Sequence, residues 1–485
     1  MTAILVLDVG TTTLRAAIVG ERLDIVAMEA RTTRPTAPAP GLVEFDPAEM
    51  AAAAVTAAEI AIGRSPEPPV VVGITNQRAS AVMWDRSTGV PLGPGLGWQD
   101  LRTVGDCITA RQHGLHIAPN QTVTKAAWLL TNHLEGRHAD DVCIGTVDSW
   151  LAWTLSGGAV HVTDHSNAAV TGLCGPDDVR WNEHVLDVLG IPAAALPTII
   201  PSSGHAGNAT TLTGAPPIGA LIGDQQAALV GQGCVDPGST KITFGTGGML
   251  DMCLGSTPPI TARRNDHGTY PIVAWSRGDE ITYGIEAIVL SAGACVEWLR
   301  DLGLVESAAA TGDVASSVDS ADGVTFVPAL AGLGTPHWDF GAAGVLGGLT
   351  RGSSAAHVVR AVLDGVAQRG VDLLDATVAD SAMPRPTSLR VDGGMTANAV
   401  FVQALADLAE LPIEVSPVTD ATTRGAAFLA GLAVGVWDDI GDAAGLWSPS
   451  HVVAPRIDRR DDRARWARSI GRSRGWIPEL SSLDF

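Results

Sequence analysis

The segment Ile4-Leu-Val-Leu-Asp-Val-Gly-Thr-Thr-Thr-Leu-Arg-Ala-Ala-Ile18 holds two apolar runs joined by a turn of glycine and threonine. This pattern predicts a β-hairpin, because short apolar runs favour strands and glycine permits a tight turn. The segment from Lys241 to Met252 repeats the pattern around Phe244-Gly-Thr-Gly-Gly248, about half a chain later. Two hairpins at matching places predict a protein built from two similar halves.

Both hairpin tips carry groups suited to a polyphosphate. Glycine lets a ligand approach the backbone closely, and threonine adds a hydroxyl donor. Either tip alone is explained as an ordinary hairpin, but the pair favours phosphate binding from two sides. Asp8, which precedes the first tip, is placed to hold Mg²⁺ through water. The residues predicted to contact ATP here are Thr11, Thr12, Thr13, Arg15, Gly245 and Thr246.

Length and charge limit the class of protein. A chain of 485 residues exceeds the size of one hydrophobic core, so two domains or lobes are expected. The formal net charge of −21 speaks against an electrostatic grip on nucleic acid or anionic lipid. Six scattered cysteines indicate reduced thiols, and no apolar stretch is long enough for a signal peptide or a membrane span. These features predict a cytoplasmic protein.

Strands and helices are predicted to interleave, which is typical of an α/β protein. Helices are expected over residues 51–62 and 125–134, and a strand over residues 70–75. The proline- and glycine-rich residues 201–219 are interpreted as irregular loop. The basic residues 458–474 resemble a helix, which either packs on the acidic body or forms a solvated tail.

Asp224 is the candidate catalytic base. It ends the apolar run Leu221-Ile-Gly and precedes an alanine-rich stretch, so it is expected where a strand passes into a helix. Ligands of α/β folds gather at such strand ends, and an acid there can take a proton from an attacking hydroxyl. A plain helix-capping role for Asp224 fits the same local pattern.

The segment Leu389-Arg-Val-Asp-Gly-Gly-Met-Thr-Ala-Asn398 predicts a strand, a glycine turn and a helix. The glycines, including Gly394, would let a flat ring lie against the backbone, and Asn398 is placed to bond a base or ribose. The chain has neither the dinucleotide-binding glycine pattern after its first strand nor a P-loop.

Taken in order, these motifs resemble the FGGY carbohydrate kinases of the actin/hexokinase/Hsp70 ATPase superfamily. The most specific match is Gly344-Val-Leu-Gly-Gly-Leu349, followed after seven residues by His357-Val-Val-Arg-Ala-Val-Leu-Asp364. The resemblance implies an α/β fold of two actin-like (ribonuclease H-like) lobes, with ATP and a sugar between them. It implies an N-terminal lobe over 1–232, a C-terminal lobe over 233–445 and a tail over 446–485. Family members are often dimers or tetramers, and no segment singles out an interface.

The resemblance also implies roles by position. Asp8 and Asp224 would lie near Mg²⁺, and Gly394 and Asn398 would form the adenosine site. Four motifs most resemble those of glycerol kinases: Thr75-Asn-Gln-Arg78, Gly97-Trp-Gln99, Gly223-Asp-Gln-Gln-Ala-Ala-Leu229 and Gly332-Leu-Gly-Thr-Pro-His-Trp-Asp339. The residues implied to bind the acceptor are Arg78, Trp98, Asp100, Asn120, Asp224, Gln225 and Met249.

Departures from the glycerol kinase pattern fall on the acceptor side. Those enzymes carry Glu at position 79, Tyr at 120 and Phe at 249, where this chain has Ala79, Asn120 and Met249. Trp98-Gln-Asp100-Leu-Arg102 is closer to the Trp-x-Asp-x-Arg of pentulose kinases. Loss of a hydroxyl-binding carboxylate changes specificity strongly, so Asp100 is hypothesised to replace it.

The sequence therefore predicts an ATP- and Mg²⁺-dependent kinase acting on a small sugar or polyol. The departures favour a four- or five-carbon polyol or ketose over glycerol, with a xylulose- or ribulose-type kinase as the alternative. A second alternative, from another class, is a non-catalytic protein that uses the nucleotide to switch shape. Such a protein would not need Arg78, Trp98 and Asp224 to converge, and the intact Gly223-Asp-Gln-Gln226 motif and the signature from Gly344 to Asp364 speak against it.

Overall fold

Strands and helices alternate along the chain, which confirms the α/β prediction. The computed structural model describes residues 2–134, 136–175, 179–259, 264–417 and 420–483. In these ranges no helix combines the length and apolar character needed to cross a membrane.

The strands follow in chain order. They are β1 (Ala3–Val9), β2 (Thr13–Val19), β3 (Ile25–Thr32), β4 (Glu44–Phe45), β5 (Pro69–Asn76), β6 (Val82–Asp85), β7 (Gly95–Leu96), β8 (Val142–Gly145), β9 (Val162–Asp164), β10 (Thr198–Ile200), β11 (Ser203–Asn208), β12 (Pro217–Gly223), β13 (Thr240–Phe244), β14 (Gly248–Gly255), β15 (Tyr270–Arg277), β16 (Glu280–Val289), β17 (Thr325–Val327), β18 (Val345–Gly347), β19 (Leu389–Asp392), β20 (Ile413–Val415) and β21 (His451–Val453).

The helices cover both faces of the main sheet. They are α1 (Pro47–Arg64), α2 (Val104–Gln112), α3 (Thr122–His133), α4 (Val147–Leu155), α5 (His165–Ala169), α6 (Glu183–Leu189), α7 (Asp224–Gly231), α8 (Gly293–Asp301), α9 (Thr311–Ser316), α10 (Ala355–Ser381), α11 (Ala399–Ala409), α12 (Ala421–Ala433), α13 (Asp442–Gly445), α14 (Arg460–Ser473) and α15 (Pro478–Ser481). Short 3₁₀ turns cover 139–141, 193–195 and 394–397.

The main sheet repeats one arrangement twice. Its thirteen strands have the order β21-β20-β19-β13-β14-β16-β15-β11-β12-β5-β1-β2-β3. In the first half, the antiparallel strands β1, β2 and β3 are joined on the β1 side by parallel β5 and β12. In the second half, antiparallel β13, β14 and β16 are joined by parallel β19 and β20. The two predicted hairpins thus occupy equivalent places.

Each half has its own apolar core, and a third core lies between them. The first core packs β1, β2 and β5 against α1 and α4, and the second packs β13, β14 and β16 against α10 and α11. The third is built around α7 and α12. These two helices cross closely, because a Cβ on Gly425 would lie 1.8 Å from the Ala227 carbonyl oxygen. Glycine at the crossing lets α12 pack directly against α7, the helix that begins with Asp224.

The interpretation of residues 201–219 as irregular loop is wrong. Residues 203–208 form β11, and β12 begins at Pro217 and runs beside β5. Gly219 is required within the strand because a Cβ there would lie 2.5 Å from a Val71 methyl carbon and 3.0 Å from the Ala430 carbonyl oxygen. The glycine marks close helix-to-sheet packing.

The basic C-terminal segment packs on the body. Residues 460–473 form α14, whose Trp466 and Ile470 are buried against the β17 and β18 region. Arg459 pairs with Asp364 at 2.8 Å, and Arg463 pairs with Asp372 at 2.9 Å, both acids lying on α10. Of the two alternatives for this segment, the packed helix is observed.

Candidate active site

Three neighbouring parallel strands end at the same edge of the sheet and bring charged residues together. The register pairs Val9 of β1 with Asn76 of β5, and Asn76 with Gly223 of β12. Asp8, Arg78 and Asp224 therefore lie side by side, although they are far apart in the sequence. The carboxyl edge of parallel strands is where α/β folds bind ligands.

The first hairpin orders Asp8 through its neighbours. Arg15, opposite Asp8 in the register, places Nη1 3.4 Å from Asp8 Oδ2, and the Thr423 hydroxyl donates to the same oxygen at 3.3 Å. Burial raises the pKa of Asp8 to about 6; the Asp224 charge adds to this rise, and Arg15 and Thr423 oppose it. A cation between the two carboxylates would relieve their repulsion, which fits Mg²⁺ held through water.

Asp224 is the first residue of α7, and Gly223 takes the N-cap position. Its Oδ1 accepts a hydrogen bond from the Gln225 N–H at 2.8 Å and lies 3.5 Å from Arg78 Nε. Burial raises the pKa of Asp224, while Arg78 lowers it. A carboxylate with a raised pKa is better matched to proton abstraction near neutral pH than an ordinary aspartate.

Arg78 connects Asp224 to a carboxylate that the sequence analysis missed. Its Nη2 donates to Glu286 Oε2 at 2.7 Å, and Glu286 is buried on β16. Met249 lies on the same side, with its sulfur 3.9 Å from Arg78 Nη2. The only signal for Glu286 in the sequence is a single charge inside the apolar run Ile285-Glu-Ala-Ile-Val289.

A second buried pair lies behind this group. Lys241 Nζ is 2.7 Å from Asp251 Oδ2 and donates to Gln225 Oε1 at 3.0 Å and to Thr243 Oγ1 at 3.1 Å. Asp251 stands directly opposite Glu286 in the β14–β16 register. Burial raises the pKa of Glu286; Arg78 opposes this rise, and the neighbouring Asp251 carboxylate adds to it. Gln225 is thus held in place beside the base.

The second hairpin tip is fixed by the start of α8. The Gly293 N–H donates to the Gly245 carbonyl at 2.8 Å, and the N–H groups of Ala292 and Ala294 donate to the Thr246 carbonyl at 2.8 and 3.1 Å. A Cβ on Gly293 would lie 2.6 Å from the Gly245 oxygen, so only glycine fits. Gly245 and Thr246 themselves are exposed, as a phosphate-binding tip requires.

The first tip contacts the predicted acceptor side. Trp98 is 37% exposed, and its indole N–H donates to Thr11 Oγ1 at 3.0 Å. Thr12 is exposed at the turn, and Thr13 begins β2. Trp98 thereby links the segment carrying Trp98-Gln-Asp to the first tip.

Asp100 is not free to bind an acceptor. It is fully buried, and its oxygens accept hydrogen bonds from the Val43 N–H at 2.6 Å and from the Arg102 backbone and guanidinium at 2.8 to 3.0 Å. The hypothesis that Asp100 supplies the carboxylate absent at Ala79 therefore loses its support. Asn120 lies exposed in the turn before α3.

At the predicted adenosine site, Gly394 leaves space for a ligand, whereas the Asn398 side chain is already hydrogen-bonded to the protein. Apart from the two neighbouring residues, no heavy atom of the described residues lies within 4 Å of the position a Cβ would take on Gly394, so a flat ring has room there. Asn398 instead caps α11, accepting from the N–H groups of Val400 and Phe401 at 3.0 and 3.2 Å. Its amide also donates to Thr311 Oγ1 at 3.0 Å. Asn398 is thus tied into the local structure.

Comparison with known proteins covers nearly the whole chain. Residues 3–231 match the N-terminal domain of the FGGY family of carbohydrate kinases, and residues 240–434 match its C-terminal domain. Glycerol kinase from Trichlorobacter lovleyi is 41% identical over 499 residues, covering 98% of this chain and 99% of that protein. Glycerol kinase 2 from Thermotoga maritima is 38% identical over 499 residues, with 98% and 99% coverage.

Solved structures of carbohydrate kinases have the same fold as this chain. Plasmodium falciparum glycerol kinase, solved with ADP, has a TM-score of 0.91 at 29% identity and covers 98% of both chains. Xylulose kinase from Lactobacillus acidophilus has a TM-score of 0.86 at 20% identity and covers 99% of both chains, a likeness that concerns the fold alone. The predicted fold of two actin-like lobes is confirmed by this agreement.

Proposed function

Since the chain belongs to the FGGY family of carbohydrate kinases and is an ATP- and Mg²⁺-dependent sugar or polyol kinase, we propose that it phosphorylates a terminal hydroxyl of a small polyol, with glycerol as the first candidate. The observation that carries this proposal is Asp224 at the start of α7, directly after β12, beside Arg78 and close enough to Asp8 for the two carboxylates to interact. The glycerol kinases among its relatives support glycerol over longer acceptors.

In the proposed reaction Asp224 takes the proton of the acceptor hydroxyl. The freed oxygen attacks the γ-phosphorus in line, the bond to the β-phosphate oxygen breaks, and ADP leaves. The two tips and Arg15 bind phosphate oxygens, and Gln225, held by Lys241, keeps the start of α7 in place. Asp8 and Asp224 would hold Mg²⁺, which supplies charge neutralisation at the phosphates when bound. Gly394 lies where the nucleotide ring would rest.

A four- or five-carbon polyol or ketose is the second candidate, because of three side chains. Ala79 offers no carboxylate, and Asn120 and Met249 replace two aromatic walls of the glycerol kinase pattern. Since the oxygens of Asp100 are occupied by Arg102 and Val43, they do not restore the lost acceptor group. A flexible Met in place of an aromatic ring gives the pocket an adaptable wall that can accommodate a longer acceptor.

The test is ADP release with Mg-ATP across glycerol, erythritol, threitol, erythrulose, xylitol, ribitol, xylulose, ribulose and hexoses. We expect the highest kcat/KM with glycerol or with one of the C4–C5 acceptors, and the winner decides between the two candidates. ADP release that is independent of every acceptor would instead favour a nucleotide-driven switch and reject the proposal.

A further inference from the structure

The use of lysine in this chain is unusual. Lys125 and Lys241 are its only lysines among 31 basic residues, and both are fully buried. Lys241 belongs to the charged group behind Asp224 described above. Lys125 lies on α3, outside that group, and has no carboxylate within ion-pair distance in the described part of the chain. A buried cation without an ion partner calls for another explanation.

Lys125 binds backbone carbonyls from two separate segments. Its Nζ lies 3.0 Å from the Pro119 oxygen, 2.9 Å from the Gln121 oxygen and 3.5 Å from the Ala79 oxygen. Pro119 and Gln121 flank Asn120, and Ala79 directly follows Arg78. The ammonium therefore joins the two segments that carry Arg78 and Asn120 on the acceptor side.

The Ala79 segment needs such support. Ala79 has a φ of +60°, in the left-handed region that is costly for a residue with a Cβ. Residues in this conformation persist only when their surroundings hold them. The hydrogen bond from Lys125 to the Ala79 carbonyl is one such restraint, and it acts at the residue next to Arg78.

The number of protons explains why a lysine stands here. An ammonium has three N–H donors in a tetrahedral arrangement, one for each carbonyl. The donors of an arginine lie in one plane and suit carboxylates or phosphates better. A neutral amine has only two N–H groups and a lone pair, so one of the three carbonyls would lose its donor.

We propose that Lys125 is a positioning residue for the acceptor: its ammonium ties Ala79 to residues 119–121 and so fixes Arg78 and Asn120 relative to each other. This inference rests on the proposed function, because it takes these residues as the acceptor side. Lys125 makes none of its hydrogen bonds to the hairpin tips, which are the proposed ATP contacts. The acceptor KM is therefore the quantity that depends on the lysine.

The same contact predicts a pH effect. Burial lowers the pKa of Lys125 to about 7, while the charge of Asp100, itself paired with Arg102, and the nearby Cys107 thiol oppose this. As the pH rises through this value, the amine loses one N–H and releases the longest contact, the one to Ala79. The acceptor KM is expected to rise with pH, and the ATP KM is expected to stay constant.

Steady-state kinetics of the full-length protein test the proposal. With the best acceptor of the panel, Lys125→Met and Lys125→Arg should raise the acceptor KM about tenfold or more, with the ATP KM within about twofold of wild type. Both variants should also lose the rise of acceptor KM between pH 6.5 and 8.5. Thr131→Met, exposed on the same helix, is the matched control and should behave as wild type.

A second measurement is made on the wild-type protein and does not depend on a Lys125 variant folding. Lysine labelled with ¹⁵N and ¹³C gives two side-chain signals in this chain, one per lysine, and the two are distinguished by Lys241→Arg. If protonated Lys125 favours acceptor binding, saturating acceptor must raise the pKa of Lys125 by linkage. An unchanged titration with acceptor, or a wild-type acceptor KM in Lys125→Met, overturns the inference while leaving the kinase intact. Wild-type protein that phosphorylates no acceptor overturns the proposed function and the inference with it.

Discussion

Arg78 is the residue that connects the charges of the site. It is bonded to Glu286 at 2.7 Å and lies 3.5 Å from Asp224; Arg78 and Glu286 are enclosed by protein, and the Asp224 side chain is 28% exposed. Enclosed charges are tolerated only when they are paired, and removing one partner of such a pair typically costs about 3–5 kcal/mol. Arg78 therefore keeps Asp224 ionised enough to act as a base, and it neutralises Glu286 at the same time.

Asp224→Asn tests the base directly. The amide keeps the shape of the side chain but cannot accept the hydroxyl proton, so kcat should fall by about 10²–10⁴-fold. Nucleotide affinity, measured by calorimetry with Mg-ADP, should fall much less, because the proposed phosphate contacts come mainly from the hairpin tips. Asp236→Asn, on an exposed loop nearby in sequence, is the control and should leave kcat unchanged. Turnover retained by Asp224→Asn would assign the base to another group.

His161 predicts an acid sensitivity that is separate from catalysis. Burial against Trp84 and Trp153 lowers its pKa to about 4 from an ordinary 6.5. Between these values the unfolded chain binds a proton that the folded protein does not, so stability is lost as the pH falls from 6.5 towards 4. At pH 5 this loss amounts to about 2 kcal/mol from His161.

His161→Gln keeps a donor for the Ile144 carbonyl, which His161 contacts at 3.2 Å, but it does not titrate. Urea unfolding at pH 7.5 and pH 5 should show a pH dependence reduced by about 2 kcal/mol relative to wild type. His205→Gln, at an exposed position, serves as the control. An undiminished pH dependence in His161→Gln would place the acid-sensitive group elsewhere, for example at His337, whose pKa burial also lowers to about 4.

At the scale of elements, local patterns were predictable and long-range partners were not. The helix expected over 51–62 spans Pro47–Arg64, and the strand expected over 70–75 spans Pro69–Asn76, because caps and β-branched runs are local signals. The role of Glu286 is not predictable from the local sequence, because its partner Arg78 is 208 residues away in the chain. The sequence Trp98-Gln-Asp-Leu-Arg102 likewise does not reveal that the Arg102 guanidinium binds the Asp100 carboxylate, which is why Asp100 is predicted to face the acceptor.

The crossing of α7 and α12 is the element contact on which the base depends. A methyl group on Gly425 would lie 1.8 Å from the Ala227 oxygen and 2.8 Å from the Gly231 nitrogen, both backbone atoms. Gly425→Ala must therefore move α12 away from α7, which starts at Asp224. We expect a loss of about 3 kcal/mol or more in unfolding free energy, since overpacking against backbone is not relieved by rotamers.

Gly471→Ala is the matched control for that substitution. Gly471 lies on the exposed side of α14, and beyond its chain neighbours and the backbone of its own helix nothing in the described ranges lies within 4 Å of its added Cβ. Alanine favours the helix there, so stability should rise by about 0.5–1 kcal/mol. Thermal and urea unfolding of both variants check the pair. A mild effect of Gly425→Ala, comparable to a surface substitution, would mean that the two helices separate easily and do not fix Asp224.

At the scale of the whole molecule, α14 is an arginine-rich helix that packs on an acidic protein body. The chain carries a net charge of −21, yet this helix has five arginines, and Arg463 contacts Asp372 and the Gln368 side chain of α10. α10 in turn packs against β16 and α11, which border the second half of the sheet. We therefore expect the segment to stabilise the half that carries the second glycine-threonine tip.

A comparison of Trp466 with Trp476 tests whether the buried face of α14 stabilises the protein. Trp466 is 4% exposed and its indole N–H donates to Asp372 at 3.0 Å, whereas Trp476 is 65% exposed. Trp466→Ala should lower the unfolding free energy by about 3–5 kcal/mol, because it leaves a cavity under α14 and removes a donor from Asp372. Trp476→Ala should change it by less than about 0.5 kcal/mol. Calorimetric unfolding measures the stability of both variants. Since neither tryptophan belongs to the candidate active site, kcat should match wild type at a temperature where both variants are folded. Equal destabilisation by the two substitutions would show that α14 is held by its arginine pairs alone, with no contribution from its buried face.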